Sequence, residues 1–409
     1  MFKNLKAIFE WTLSLAYILA SRRGMSKAKI LRFALVVFAC LGTNALTQVE
    51  PKRPNIVLIL ADDLGYSDLG CYGSEIETPR LDALAEGGLR YTQMYNAARC
   101  CPSRASLLTG LYQHQAGVGF MVYADWGAGY EGSLNENGVT LAEALKEAGY
   151  TTLTSGKWHV AAHRKPPAHS LPENRGFDRS TVVRTHIDSY WKVLRGCSIY
   201  RDGKLHIPGN NDNTTLKNPY QPEKDFYTTD YFTDVALEYV DEALKQGDKP
   251  FFLYLTYNAP HFPLEAPDET IAKYEAHLEN PEWLSKYGDG WDEMRTKKLA
   301  RQKETGVVPE GQQLPEVRYF NNVRIMKGMQ TGTNLQPLPK WKDLPEEVKT
   351  EARFRRAIYN AQIDNMDENI GRLVDKLKAE GAYENTLILF VSDNGCSGEM
   401  GVFGTHFEG

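Results

Sequence analysis

The stretch Asn55-Ile56-Val57-Leu58-Ile59-Leu60-Ala61-Asp62-Asp63 decides the fold class. An apolar run without polar interruption suits a strand buried on both faces, which is the habit of parallel sheets. The run ends directly in two adjacent carboxylates. Open α/β sheets collect ligands at the carboxyl ends of their strands. Neighbouring carboxylates repel each other unless a cation intervenes. Taken alone, the pair also suits a solvated acidic turn.

The same pattern recurs further along. Thr151 to Ser155 reads as a strand and runs into Gly156-Lys157-Trp158-His159. Phe251 to Thr256 is another, running into Asn258-Ala259-Pro260-His261. Leu387 to Val391 is a third, running into Ser392-Asp393-Asn394-Gly395. Asp-Asn-Gly is a common turn sequence, but here it follows a strand taken to be buried. Helical signals fall between the strands. Thr78-Pro79 opens a short helix that closes at Gly87-Gly88. Thr140-Leu141-Ala142-Glu143 is a capping box, and Gly149 stops that helix. Thr229 to Lys245 and roughly Glu351 to Glu380 carry helical periodicity. This alternation predicts an α/β fold with a largely parallel central sheet flanked by helices. Residues 264–350 depart from it, being charged, punctuated by Pro and Gly, and bearing Trp283, Trp291 and Trp341. They read as an insertion over the site, within one catalytic domain spanning 53–409. A plain surface excursion is the alternative.

The 409 residues are 42% hydrophobic and 24% charged, a globular composition. A net charge of -5 argues against nucleic acid as a partner. Lys27, Lys29 and Arg32 precede the apolar run Phe33 to Leu41, and small or polar residues follow to Ala45. That is the layout of a secretory signal peptide. Residues 1–45 are therefore read as a leader region, with Met25 as a start and 1–24 as an extension. Export to a periplasmic or extracellular space is expected. Ile8 to Ala20 leaves a membrane anchor open, and Val37-Phe38-Ala39-Cys40 leaves lipidation open, although Phe38 fits a lipoprotein site poorly. Cys71, Cys100, Cys101, Cys197 and Cys396 show no zinc-site spacing, and disulfide pairs cannot be assigned from sequence.

The most specific chemistry lies in Cys100-Cys101-Pro102-Ser103-Arg104, continued by Leu107-Leu108-Thr109-Gly110. Pro102 and Ser103 read as the opening of a helix, whose free N–H groups favour an anion. Arg104 adds a planar donor fork suited to an oxyanion. Asp62, Asp63, Asp393 and Asn394 offer only oxygen, which suits a hard cation such as Ca²⁺ or Mg²⁺. His261 is a candidate acid or base, as histidine commonly is.

Taken together, the chain resembles a type I, formylglycine-dependent sulfatase of the alkaline phosphatase superfamily, closest to bacterial arylsulfatases. The resemblance runs from about Arg53 to the end. It rests on Asp62-Asp63-Leu64-Gly65-Tyr66, Thr78-Pro79-Arg80-Leu81-Asp82, the Cys100 motif, Gly156-Lys157-Trp158-His159, Arg175-Gly176-Phe177-Asp178, His261 and Asp393-Asn394-Gly395. It implies an alkaline-phosphatase-like sandwich and hydrolysis of sulfate esters. Cys100 would be oxidised to formylglycine by a formylglycine-generating enzyme. Asp62, Asp63, Asp393, Asn394 and the converted Cys100 would bind one divalent ion, usually Ca²⁺, with Mg²⁺ as the alternative. Arg104 and the ion would hold the sulfate. Asp393 would help deprotonate the gem-diol that attacks sulfur, and His261 would assist the departing alcohol. His159, positioned by Lys157, would then release the sulfate. The substrate would be a sulfated small molecule or carbohydrate. A formylglycine-dependent phosphonate or phosphodiester hydrolase is the rival on the same fold, and an inactive remnant that binds metal or ligand is the rival from another class. The family also uses a lysine downstream of the Asp-Asn pair and a smaller C-terminal subdomain. No lysine follows Lys378, and His406 is a poor substitute. A C-terminally truncated catalytic domain is therefore expected.

Overall fold

The computed structural model describes residues 52–123, 125–210, 216–316 and 340–397. The leader region 1–45 and His406 lie outside the described residues. In chain order, β1 (Asn55–Ala61) is followed by α1 (Pro79–Glu86), α2 (Cys100–Thr109), α3 (Leu141–Glu147), β2 (Thr151–Lys157), β3 (Arg179–Val183), β4 (Ile199–Arg201) and β5 (Lys204–Ile207). Then come β6 (Lys217–Asn218), β7 (Gln221–Asp225), α4 (Thr228–Leu244), β8 (Phe251–Thr256), α5 (Asp268–Glu279), α6 (Pro281–Tyr287), α7 (Gly290–Glu304), α8 (Glu346–Ala379) and β9 (Thr386–Ser392). No described helix is long and apolar enough to cross a membrane.

The main sheet has the order β5-β4-β3-β2-β8-β1-β9. The five strands from β3 to β9 in that order run parallel, and β4 and β5 turn back antiparallel at one edge. The first strand explains why its sequence is apolar throughout. Val57, Ile59 and Ala61 pack into a core with Phe232 of α4, Tyr274 of α5 and Ile363 of α8. Leu58 and Leu60 face the other way, into a core with Cys101, Ala105 and Leu108 of α2. Each such buried aliphatic side chain contributes roughly 1.5–3 kcal/mol. The expected α/β architecture, a mostly parallel sheet between helices, is the one observed.

Because all five strands are parallel, their carboxyl ends share one edge. β2 reaches that edge through Gly156, whose φ is +118°. A Cβ there would lie 1.8 Å from the Thr256 carbonyl oxygen, so only glycine lets β2 press this closely on β8 just before Lys157.

Three details differ from the expectation. Helix α2 begins at Cys100 itself, with Arg99 as its N-cap. Pro102 falls inside the first turn, where a proline costs no helical hydrogen bond. Strand β9 is an edge strand among the described residues, not a buried one. It pairs with β1, and Leu387 and Leu389 are 50% and 38% exposed. The segment expected over the site carries helices α5, α6 and α7 and the start of α8 among its described residues. Lys298 pairs with Asp68 and Glu75, Lys273 pairs with Glu77 and Asp364, and Arg301 donates to the Gly73 carbonyl. These charges tie α5 and α7 to the 68–77 loop and to α8. None of the segment's described residues lines the pocket at Cys100.

Candidate active site

The strand ends converge as the sequence pattern implied. Asp62 and Asp63 follow β1, Lys157 closes β2 with His159 just beyond, His261 follows β8, and Asp393 and Asn394 follow β9. Backbone bonds lock the ends together: Asp62 N–H donates to the Ala259 carbonyl at 3.0 Å, and Asp393 N–H to the Ala61 carbonyl at 3.2 Å. Cys100, on the first turn of α2, lies in a small pocket with Asp63, His159, His261 and Asn394. The pocket encloses about 70 Å³, roughly two waters' share of liquid volume. A larger cavity of about 750 Å³ abuts α2 and β9, but Cys100, His159 and His261 are not in its lining.

Asp63 and His159 both have positive φ, 61° and 54°. Non-glycine residues held in that region cost on the order of 1–3 kcal/mol each and concentrate at functional sites.

Three carboxylates crowd the floor. One oxygen from each of Asp62, Asp63 and Asp393 can be chosen so that all lie within 4.8 Å of one another. Burial and the Asp62 charge push the Asp393 carboxyl well above the usual range, and the same two causes raise Asp63. Asp62 is held far down instead; burial opposes this, but Lys157, His261 and Arg104 outweigh it. Asn394 Nδ2 donates to Asp63 Oδ1 at 2.5 Å, and Asp63 N–H donates to Asp393 Oδ1 at 3.2 Å. Asn394 Oδ1 is buried without a hydrogen-bond partner, and Asp62 Oδ1 has only the Arg104 guanidinium 3.4 Å away. Under-satisfied oxygens beside mutually repelling carboxylates are what a hard divalent cation with oxygen ligands would satisfy. The donor set therefore fits Ca²⁺ or Mg²⁺.

The two strongest cations do not sit where the sequence reading put them. Arg104 was expected to hold the anion and Lys157 to point into the site. Both are fully buried, and neither lines the pocket. Arg104 donates to Asp393 Oδ2 and to the Lys157 carbonyl, while Lys157 Nζ is ion-paired with Asp62. Each is captured by a carboxylate, the stronger attraction in a site shielded from water.

The histidines differ in kind. Burial, then the nearby Lys157 charge, lowers His159 to about 4, so its ring is neutral at ordinary pH. Neither of its ring nitrogens meets a partner in full hydrogen-bond geometry. His261 Nδ1 donates to the Phe262 carbonyl at 2.7 Å, and its Nε2 lies 3.6 Å from Asp63 Oδ2. A carbonyl only accepts, so Nδ1 carries the hydrogen and Nε2 is presented to the pocket. The residue at 100 is cysteine here. Its thiol is drawn down to about 2, first by the hydrogen bond with Cys101 and then by His159 and Lys157, against the opposing effect of burial.

Arg99, Met121, Tyr123, His186 and Phe262 also line the pocket, and sequence reasoning missed them. His186 was the one with a usable signal. It follows β3, another parallel strand, just past the carboxyl end, and its ring lies 6.4 Å from that of His159. No disulfide joins the described cysteines.

Comparison with known proteins agrees with this geometry. The family model described as sulfatase matches residues 54–407. An uncharacterised sulfatase of Schizosaccharomyces pombe is 33% identical over 375 residues, covering 86% of this chain and 59% of that protein. An arylsulfatase of Klebsiella aerogenes is 31% identical over 379 residues, covering 92% of this chain and 72% of that one. The crystal structure of Ps i-CgsB, known also in complex with a neocarrahexaose, superposes with a TM-score of 0.55 at 26% identity, over 84% of this chain and 59% of its own. The chain thus spans under two thirds of the length of two of these three. With the family model matching nearly all the described fold, and every motif-bearing strand end meeting at Cys100, the chain belongs to the sulfatase family.

Proposed function

We propose that this chain is the catalytic core of a sulfate-ester hydrolase whose nucleophile is made from Cys100. One observation carries the reading: Cys100 opens α2 inside a pocket shared by Asp63, Asn394, His159 and His261. Cys100 oxidised to formylglycine would supply a hydrated aldehyde whose hydroxyl attacks sulfur. Asp62, Asp63, Asp393 and Asn394 would hold a divalent ion, with Ca²⁺ as first choice. When bound, such an ion supplies positive charge that polarises a sulfate oxygen.

The chain's own residues do the rest. Arg104 fixes Asp393 in one orientation beneath Asp63, whose amide N–H donates to it, so the pair is held together. Neutral His159 is ready to accept a proton beside residue 100. His261, its Nδ1–H anchored on Phe262, presents Nε2 to the pocket; with a proton taken up there the imidazolium can give it to the departing alcohol. The pocket's small volume admits the ester group and leaves the alcohol outside. A carbohydrate sulfate is the proposed substrate class, supported by the oligosaccharide complex of Ps i-CgsB. A separate formylglycine-generating enzyme is the proposed maturation partner. Export is proposed from the basic-then-apolar layout at Lys27 to Leu41.

Two measurements test the reading. The peptide bearing Cys100 should lose about 18 Da on conversion, seen by mass spectrometry. The converted chain should then hydrolyse aryl sulfates faster than phosphodiesters. A faster phosphodiester rate overturns the sulfate assignment. A converted chain without turnover on either ester overturns catalysis by these 409 residues.

A further inference from the structure

The pocket carries a second donor set that the sulfatase reading does not use. On the side away from the carboxylates, Cys100 Sγ lies 4.0 Å from Cys101 Sγ, and Cys101 Sγ lies 3.7 Å from Met121 Sδ. Donor atoms of Cys100, Cys101 and His159 all fall within 4.8 Å of one another. All four side chains are buried. Two ligands on metal–sulfur bonds of about 2.3 Å stand about 3.8 Å apart at a tetrahedral centre and about 4.0 Å apart at a trigonal one. The two sulfur–sulfur separations match those edges.

His159 provides the independent observation. Its ring is buried, and neither nitrogen meets a partner in full hydrogen-bond geometry; the neighbour the ring faces is the Cys100 thiol. A buried imidazole normally satisfies at least one nitrogen. Here a ring nitrogen lies within 4.8 Å of both thiol sulfurs instead. Met121 also accepts from Arg99 Nε at 3.3 Å, and a thioether keeps a second lone pair.

We propose that, while residue 100 is still cysteine, Cys100, Cys101, Met121 and His159 form a site for a soft d¹⁰ cation, Cu(I). Two thiolates, a thioether and an imidazole are the softest donors available to a protein, and they select Cu(I) over the hard ions suited to the neighbouring oxygens. Binding forms metal–sulfur bonds at both cysteines and releases to solvent the one proton they share in the Cys100–Cys101 hydrogen bond, with no electron transferred. Two donor groups thus stand at this end of the sheet, one of oxygens and one of sulfurs with a histidine, and Cys100 belongs to the second. Conversion to formylglycine removes a sulfur and abolishes the soft site.

The test uses the full chain with Cys100 unconverted, verified by the mass of its peptide. Cu(I), kept reduced under anaerobic conditions, is titrated in competition with a chromophoric Cu(I) chelator. One equivalent should bind, and X-ray absorption should show a sulfur-dominated shell with one nitrogen. Cys101→Ser should weaken binding about 100-fold or more, since even second-shell changes cost up to that much, and the formylglycine form should lose the site. An oxygen-only shell, or equal affinity in the converted chain, overturns the proposal. The absorption measurement on the unsubstituted chain decides the matter even if Cys101→Ser fails to fold. Because it needs no turnover, its failure leaves the hydrolase reading intact.

Discussion

Arg104 grips a single oxygen of Asp393 twice: Nε at 2.8 Å and the second guanidinium nitrogen at 2.7 Å both reach Oδ2. Both side chains are fully buried. The other Asp393 oxygen accepts from the Asp63 amide at 3.2 Å. Truncating the arginine would strand Asp393 and deprive Asp62 of a neighbouring charge 3.4 Å away. Arg104→Ala should cost about 3–5 kcal/mol, the penalty for breaking a buried pair. A denaturant midpoint close to that of the parent chain would refute it. Arg104→Lys should fail to rescue, because an ammonium cannot reproduce the planar fork.

The crowded carboxylates predict a dependence on divalent cations. Ca²⁺ at about 100 times its Kd should stabilise the chain by about 2.7 kcal/mol, and a chelator should reverse the gain. Asp63→Asn should abolish the shift in melting temperature while leaving the chain folded. A Ca²⁺ response that survives in Asp63→Asn would place the ion elsewhere.

Much of this site was legible because parallel strands obey a strict rule. Their carboxyl ends share an edge, so each polar tail after an apolar run had to meet the others. Asp62, His159, His261 and Asp393 were found that way. Arg104 and Lys157 were found too, but not their burial, since sequence spacing does not say which carboxylate captures a cation. His186 was lost because β3 starts with Arg179 and Ser180 and lacks the apolar signature of β1. The exposure of β9 was invisible for a related reason: an apolar run tells that a strand exists, not how many neighbours it has. The attachment of the 264–350 segment depends on ion pairs such as Lys298 with Glu75, distant in sequence and without local pattern.

Glu75 offers a pH test of that attachment. Burial alone would raise its carboxyl, but Arg356 and Lys298 overcome this and hold it at about 2, against 4.5 for the free group. A depressed folded-state value means the stabilisation is complete above about pH 4.5 and is lost as pH falls toward 2. The contribution at neutral pH is on the order of 3 kcal/mol. Glu75→Gln should therefore be less stable than the parent at pH 7, and the gap should narrow from pH 4.5 downward. Urea midpoints measured from pH 7 to pH 3 would show it, and a gap that stays constant would sink the assignment.

His186 should govern the alcohol rather than the sulfate. Its Nε2 is 3.1 Å from Asp188 Oδ1, and the opposite carboxylate oxygen accepts from the Cys197 thiol at 3.4 Å. The ring is therefore fixed at the pocket wall, 29% exposed, beside His159 but away from the carboxylate floor. A small aryl sulfate would barely touch it, while a sugar leaving group would lie against it. His186→Ala should change kcat on an aryl sulfate little, yet reduce kcat/KM on a sulfated oligosaccharide on the order of tenfold, largely through KM. The Asp188→Asn variant should show a weaker form of the same split, since it loosens the ring without removing it. Equal losses on both substrates would instead assign His186 to the chemical step.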